Sequence, residues 1–123
     1  MIAFREKGPA VLFWILVILP VSVWGHSFPN RADPRVGSTT KTSPPEVTIW
    51  FDAGIEPLFS TIEVFDSNHQ EVDKKDSHIV GNDNTLFAVS IPALPPGKYQ
   101  VHWSVISVDT HHTEGTFNFW IGG

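Results

Sequence analysis

Cysteine is absent from the 123-residue chain, and the single methionine is Met1. Without cysteine there is no disulfide framework, no thiolate nucleophile, no Cys-ligated zinc and no iron–sulfur cluster. Stability must come from a packed core, which is feasible for a domain of about 100 residues. Helical patterning is missing too: after residue 25 no useful stretch repeats apolar residues at spacings of three and four. No internal repeat is present. Positive charge is scarce, with six Lys and Arg against twelve Asp and Glu beyond Gly25, a net charge of −6. Phosphate backbones need a basic surface, so nucleic acid is excluded as a partner.

The first 25 residues differ in kind from the rest. Arg5 and Lys7 precede an apolar run from Val11 to Val23, interrupted only by Pro20 and Ser22. A basic start, a short apolar stretch and a small residue at the cut describe a secretory signal peptide. The run falls short of the ~20 residues that span a bilayer, which disfavours a permanent anchor. The expectation is a signal peptide over residues 1–25, cleaved after Gly25, and one exported domain over 26–123 whose first residue is His26.

Residues 26–45 are polar and carry Pro29, Pro34, Pro44 and Pro45, so they read as extended or looped, suited to a sheet edge. Val47–Phe51 alternates, with Val47, Ile49 and Phe51 on one face. Further strands are expected over Ser60–Phe65, at Ile79-Val80, over Thr85–Ile91, over Lys98–Val108 and over Thr116–Ile121. Turn signals separate them at Asp66–Gln70, Gly81–Asn84 and Pro95–Gly97. In the longest run Tyr99, Val101, Trp103 and Val105 share one face, and Gln100, His102 and Ser104 the other. Several short strands in about 100 residues make an all-β fold, a Greek-key β-sandwich or small barrel.

The segment Ser107-Val108-Asp109-Thr110-His111-His112 follows that longest run. Residues two apart on an extended chain point to one side, so Asp109 and His111 can converge. Continued parity places them at the end of the buried row, where ionisable groups need a partner or a metal. Alone, Asp-x-His is a weak signal, more simply read as a turn-capping Asp and an exposed His. Cleavage after Gly25 changes its weight. A first-residue His26 offers its free α-amine and ring Nδ1 together, which close a six-membered chelate ring. With Asp109 and His111 this makes three nitrogens and one carboxylate oxygen, a set suited to Cu(II) and acceptable to zinc. Cu(I) prefers sulfur, and no sulfur remains beyond Met1. The other histidines read as ordinary: His69, His78 and His102 solvated, and His112 pointing away from its neighbour. Trp50, Trp103 and Trp120 read as core or interface aromatics. Ser107 reads as a brace for the turn before Asp109.

These residues also carry a resemblance. His26 after the leader, the stretch S-P-P-E-V-T-I-W-F from Ser43, L-P-P-G-K-Y-Q-V-H-W-S-V-I-S-V-D-T-H from Leu94, and G-T-F-N-F after it resemble the CopC family of periplasmic copper-resistance proteins. The resemblance implies a cupredoxin-like, immunoglobulin-like Greek-key β-sandwich or barrel. It implies one Cu(II) per mature chain, held by His26, Asp109 and His111, and a periplasmic, non-enzymatic role in copper tolerance or homeostasis beside a CopD-type inner-membrane copper transport protein. The family's methionine-rich Cu(I) loop is missing. Its acidic residue two positions after the first core strand's Phe is replaced by Ala53, and the neighbouring Asp52 is left outside the expected site. Two other readings stand beside this one: an oxidative copper enzyme with an N-terminal histidine, and a metal-free adhesion or assembly sandwich.

Overall fold

A computed structural model describes residues 27–123. The expected signal peptide and His26 lie outside the described residues. Eight strands form two four-stranded sheets: β1 (Pro29–Asp33), β2 (Thr39–Thr40), β3 (Glu46–Phe51), β4 (Thr61–Phe65), β5 (His78–Val80), β6 (Asp83–Ser90), β7 (Gly97–Ile106) and β8 (His112–Ile121). One sheet has the order β1-β3-β6-β5 and the other β2-β8-β7-β4. Neighbours such as β3 with β6 and β4 with β7 are distant in sequence, as in Greek-key crossovers. The expected all-β sandwich is therefore the observed architecture. The one helical piece among these elements is a 3-10 turn at Pro57–Phe59.

Alternation fills the space between the sheets. Val47, Ile49 and Phe51 of β3, Phe87 and Val89 of β6, Ile62 and Val64 of β4, and Phe119 and Ile121 of β8 are all buried. They meet Tyr99, Val101, Trp103 and Val105, the inward row of β7. Each such side chain contributes about 1.5–3 kcal/mol on leaving water, which is how a chain with no disulfide stays folded. Tyr99 stacks on Phe119 at 5.6 Å, and its hydroxyl donates to the Pro95 carbonyl at 2.6 Å. Its polar end is thereby satisfied.

The proline-rich start of the domain does lie along edges. β1 borders β3, and β2 makes a short parallel pair with β8 at Thr39 and Thr40. On the opposite edge of the second sheet, β4 is closed off by side chains. The Val64 amide donates to Asp73 Oδ2 at 2.8 Å, and the Ile62 amide to Ser77 Oγ at 2.9 Å. Covering these donors blocks pairing with a foreign strand.

Two boundaries of the longest hairpin differ from expectation. β7 stops at Ile106, not Val108, and β8 begins at His112, four residues before Thr116. Their hairpin pairing continues through Val105 with Thr113 and Ile106 with His112, leaving a tight turn between. Cross-strand pairing thus extends β8 through Gly115, a residue whose own preference is against strand. Among the described residues, Trp103 is the one tryptophan in the core. Trp50 lies half-buried beneath the Arg31 guanidinium, 3.9 Å from its ring centre, and Trp120 is exposed near Lys98.

Candidate metal centre

The turn Ser107–His111 is built by its own backbone. The Ser107 amide donates to the His111 carbonyl at 2.9 Å, and the Thr110 amide to the Ser107 carbonyl at 2.8 Å. Thr110 takes φ +74°, an uncommon conformation for a β-branched residue. Ser107 is fully buried, and its hydroxyl donates to Asp109 Oδ1. The other carboxylate oxygen, Oδ2, stands 3.2 Å from His111 Nδ1. The Ser107 hydroxyl first, and then His111, hold the Asp109 carboxyl below the ordinary aspartate range. Its oxygens are anionic and ready as donors at any near-neutral pH.

Asp109 and His111 do converge, but not for the reason the strand parity suggested. They are not the end of a buried extended row. Ser107 takes that place, and the two ligand candidates sit on the turn beyond it with side chains 36% and 57% exposed. A turn closed by Ser107 brings them together, at little desolvation cost to either. His112 points away, as expected, toward Ser104 Oγ at 2.8 Å.

The chain that follows His26 ends at this same place. Ser27 is fully buried, and its hydroxyl lies 3.2 Å from the carbonyls of both Ala53 and Gly54. Gly54 accepts the Val108 amide at 3.0 Å, so Ser27 and the residue before Asp109 share an acceptor. Thr113, two positions after His111, donates its hydroxyl to the Ser27 carbonyl at 2.6 Å. Asp52 grips Phe28 from the other side. Its Oδ1 accepts the Phe28 amide at 2.8 Å, and its own amide donates to the Phe28 carbonyl at 2.9 Å. Asp52 was left out of the expected site; here it anchors the chain beside it, a role visible only once β3 and the N-terminal segment are paired.

Among the described residues, no three His, Cys, Asp or Glu side chains are grouped so as to hold a metal. Asp109 and His111 could supply two donors, and a complete sphere would need more from elsewhere. Neither of two surface grooves, about 350 and 310 Å³ in volume, is lined by the pair. The site is an open turn, suited to an ion.

His102 differs from its solvated reading. Its Nδ1 is 3.1 Å from Glu63 on β4 and its Nε2 3.1 Å from Glu114 on β8. The hydrogen bond to Glu63, then that to Glu114, raises its pKa against the opposing effect of burial. The strand register that sets these three side by side could not be read from the sequence.

The CopC domain family matches residues 30–122. The chain belongs to the CopC family. Its motif resemblance is thus matched across nearly the whole described domain, and with it the family's copper-binding character. The copper transport protein CutJ of Bacillus subtilis (strain 168) is 30% identical over 119 residues, covering 96% of this chain and 22% of CutJ. Protein YobA of Escherichia coli (strain K12) is 28% identical over 99 residues, 80% of each chain. This chain therefore spans under a quarter of one relative and most of the other. The crystal structure of CopC from Methylosinus trichosporium OB3b superposes with a TM-score of 0.75 at 30% identity, covering 79% of this CopC-family chain and 94% of that one.

Proposed function

We propose that the exported, processed protein begins at His26 and holds one Cu(II) ion. The donors are the α-amine and Nδ1 of His26, a carboxylate oxygen of Asp109 and an imidazole nitrogen of His111. One observation carries this reading: Ser27, one peptide bond from His26, is pinned to the turn that presents Asp109 and His111. A residue joined to Ser27 has its Cα only about 3.8 Å from that of Ser27. The proposed third and fourth donors are therefore one residue along the chain from a backbone hydrogen-bonded to groups on both flanks of the turn.

The chemistry agrees with the oxidation state. Nitrogen and carboxylate donors suit Cu(II), and the chain beyond Met1 contains no thiolate or thioether to favour Cu(I). A site that favours one oxidation state stores or passes the ion; it does not cycle it. The protein acts as a periplasmic copper carrier or buffer in copper resistance and homeostasis, not as an enzyme, and it exchanges copper with a CopD-type membrane protein. The match to part of CutJ supports this, since there a CopC-like unit belongs to a longer copper transport protein.

The test is a competition titration of the exported protein, with its first residue read by mass spectrometry. One tightly bound Cu(II) is expected, with the affinity sharply reduced in Asp109→Ala and in His111→Ala while each variant remains folded. A first residue other than His26, or unchanged affinity in either variant, refutes the assignment.

A further inference from the structure

Beyond the proposed ligands, one buried hydroxyl joins the start of the described chain to the far side of the metal-binding turn. Thr113 belongs to the inward row of β8, opposite Val105 and ahead of Gly115 and Phe117. It is 9% exposed. Valine would fill such a place with the same shape. The hydroxyl adds a 2.6 Å hydrogen bond to the carbonyl of Ser27, 86 residues away in sequence.

That bond closes a clasp around two residues. Thr113 holds the Ser27 carbonyl, Ala53 and Gly54 hold its hydroxyl, and Asp52 holds Phe28 through both amide and carbonyl. The backbone from Ser27 to Phe28 is held from three sides. Two of those sides, Asp52 and the Ala53–Gly54 carbonyls, belong to the segment after β3. Thr113 ties the clasp to β8, whose first residue directly follows His111.

We infer that Thr113 is a positioning residue for copper: it docks Ser27 so that the terminal chelate is delivered to Asp109 and His111 already ordered. This inference rests on the reading of His26 as a copper ligand. A terminus left free must be ordered when the ion binds, and ordering about one backbone residue weakens binding by roughly 5- to 30-fold. Thr113→Val keeps the side-chain shape and removes the donor.

The experiment is a double-mutant cycle on the exported protein between Thr113→Val and His26→Ala, read by Cu(II) competition titration and by the Cu(II) electron paramagnetic resonance spectrum. Thr113→Val alone should weaken copper about 5- to 30-fold and broaden the spectrum toward mixed coordination. Thr113→Ser, which restores the hydroxyl, should restore both. In the His26→Ala background, with the terminal amine acetylated so that both donors of residue 26 are gone, Thr113→Val should cost nothing further. An equal loss in both backgrounds, or no loss in either, overturns the positioning role, while a weakened His26→Ala protein still upholds the site. Unchanged copper affinity in His26→Ala overturns the site and the positioning role together. Should Thr113→Val not fold, Ser27→Ala opens the clasp from the other hydroxyl. The same coupling to His26 is expected there, and its absence overturns the inference.

Discussion

Replacing Gly115 with alanine should destabilise the sandwich while leaving the copper donors alone. A Cβ at Gly115 would stand 2.7 Å from Trp103 Cζ2, 3.0 Å from Cε2 and 3.2 Å from Nε1. Trp103 is 6% exposed and meets the Phe51 ring edge-on at 5.6 Å, so it cannot withdraw without displacing the core. Overpacking of this kind costs about 1–3 kcal/mol. Relief of glycine's entropic penalty in a strand offsets about 0.5–1 kcal/mol of it. The net loss is about 0.5–2 kcal/mol, and in a domain of about 100 residues that lowers Tm by roughly 2–16 °C. Thermal unfolding of the copper-free protein by circular dichroism measures it. Copper titration below the transition should show full binding, since a Cβ at Gly115 meets Trp103 and not Asp109 or His111. An unchanged or raised Tm would refute the reasoning, because the indole would then have found room that the packed interior does not show.

Other outcomes follow from single contacts. Thr110→Gly should remove the strain of a β-branched residue at φ +74° and raise stability by about 1 kcal/mol, read as a higher Tm with copper affinity kept. A fall in Tm would mean that the Thr110 hydroxyl, bonded to the Asp109 carbonyl, matters more than the strain. His102 should make stability pH-dependent. Its folded pKa is raised above the unfolded value of about 6.5, so its contribution is complete below that pH and is lost as pH rises through the folded pKa. The side chains are a third or more exposed, so only about 0.5 kcal/mol is expected. Denaturant unfolding of wild type and His102→Gln should therefore differ at pH 5.5 and converge by pH 8.5; a gap that widens with pH contradicts the assignment.

Most of the fold was legible because strand alternation and burial are the same pattern seen twice. Val47, Ile49 and Phe51, and the row from Tyr99 to Val105, are buried as their spacing requires. The prolines of the first segment marked edges for the same local reason. What escaped depended on pairing between distant residues. Asp52 meets the Phe28 backbone only because β1 lies against β3, and Glu63 meets His102 only because β4 lies against β7. Asp109 and His111 converge as strand parity suggests, but on a turn, since β7 ends at Ile106 and the parity does not continue past it. Ser107, read as a brace, proved to be the group that closes the turn and aims the carboxylate. Gly115 was quoted only as part of a motif. Its physical reason, the indole beneath it, needed the β7–β8 register.

The central claim is that a free terminus at His26 completes the copper sphere. Two purified forms test it most directly, one beginning at His26 and one carrying a single extra glycine before it, each titrated with Cu(II) against a chelator. The extension turns the chelating amine into an amide and changes no other residue. The account predicts one tight Cu(II) in the first form and, in the second, a loss exceeding the roughly 100-fold attached to supporting residues around a metal. Equal affinity in the two forms would contradict it.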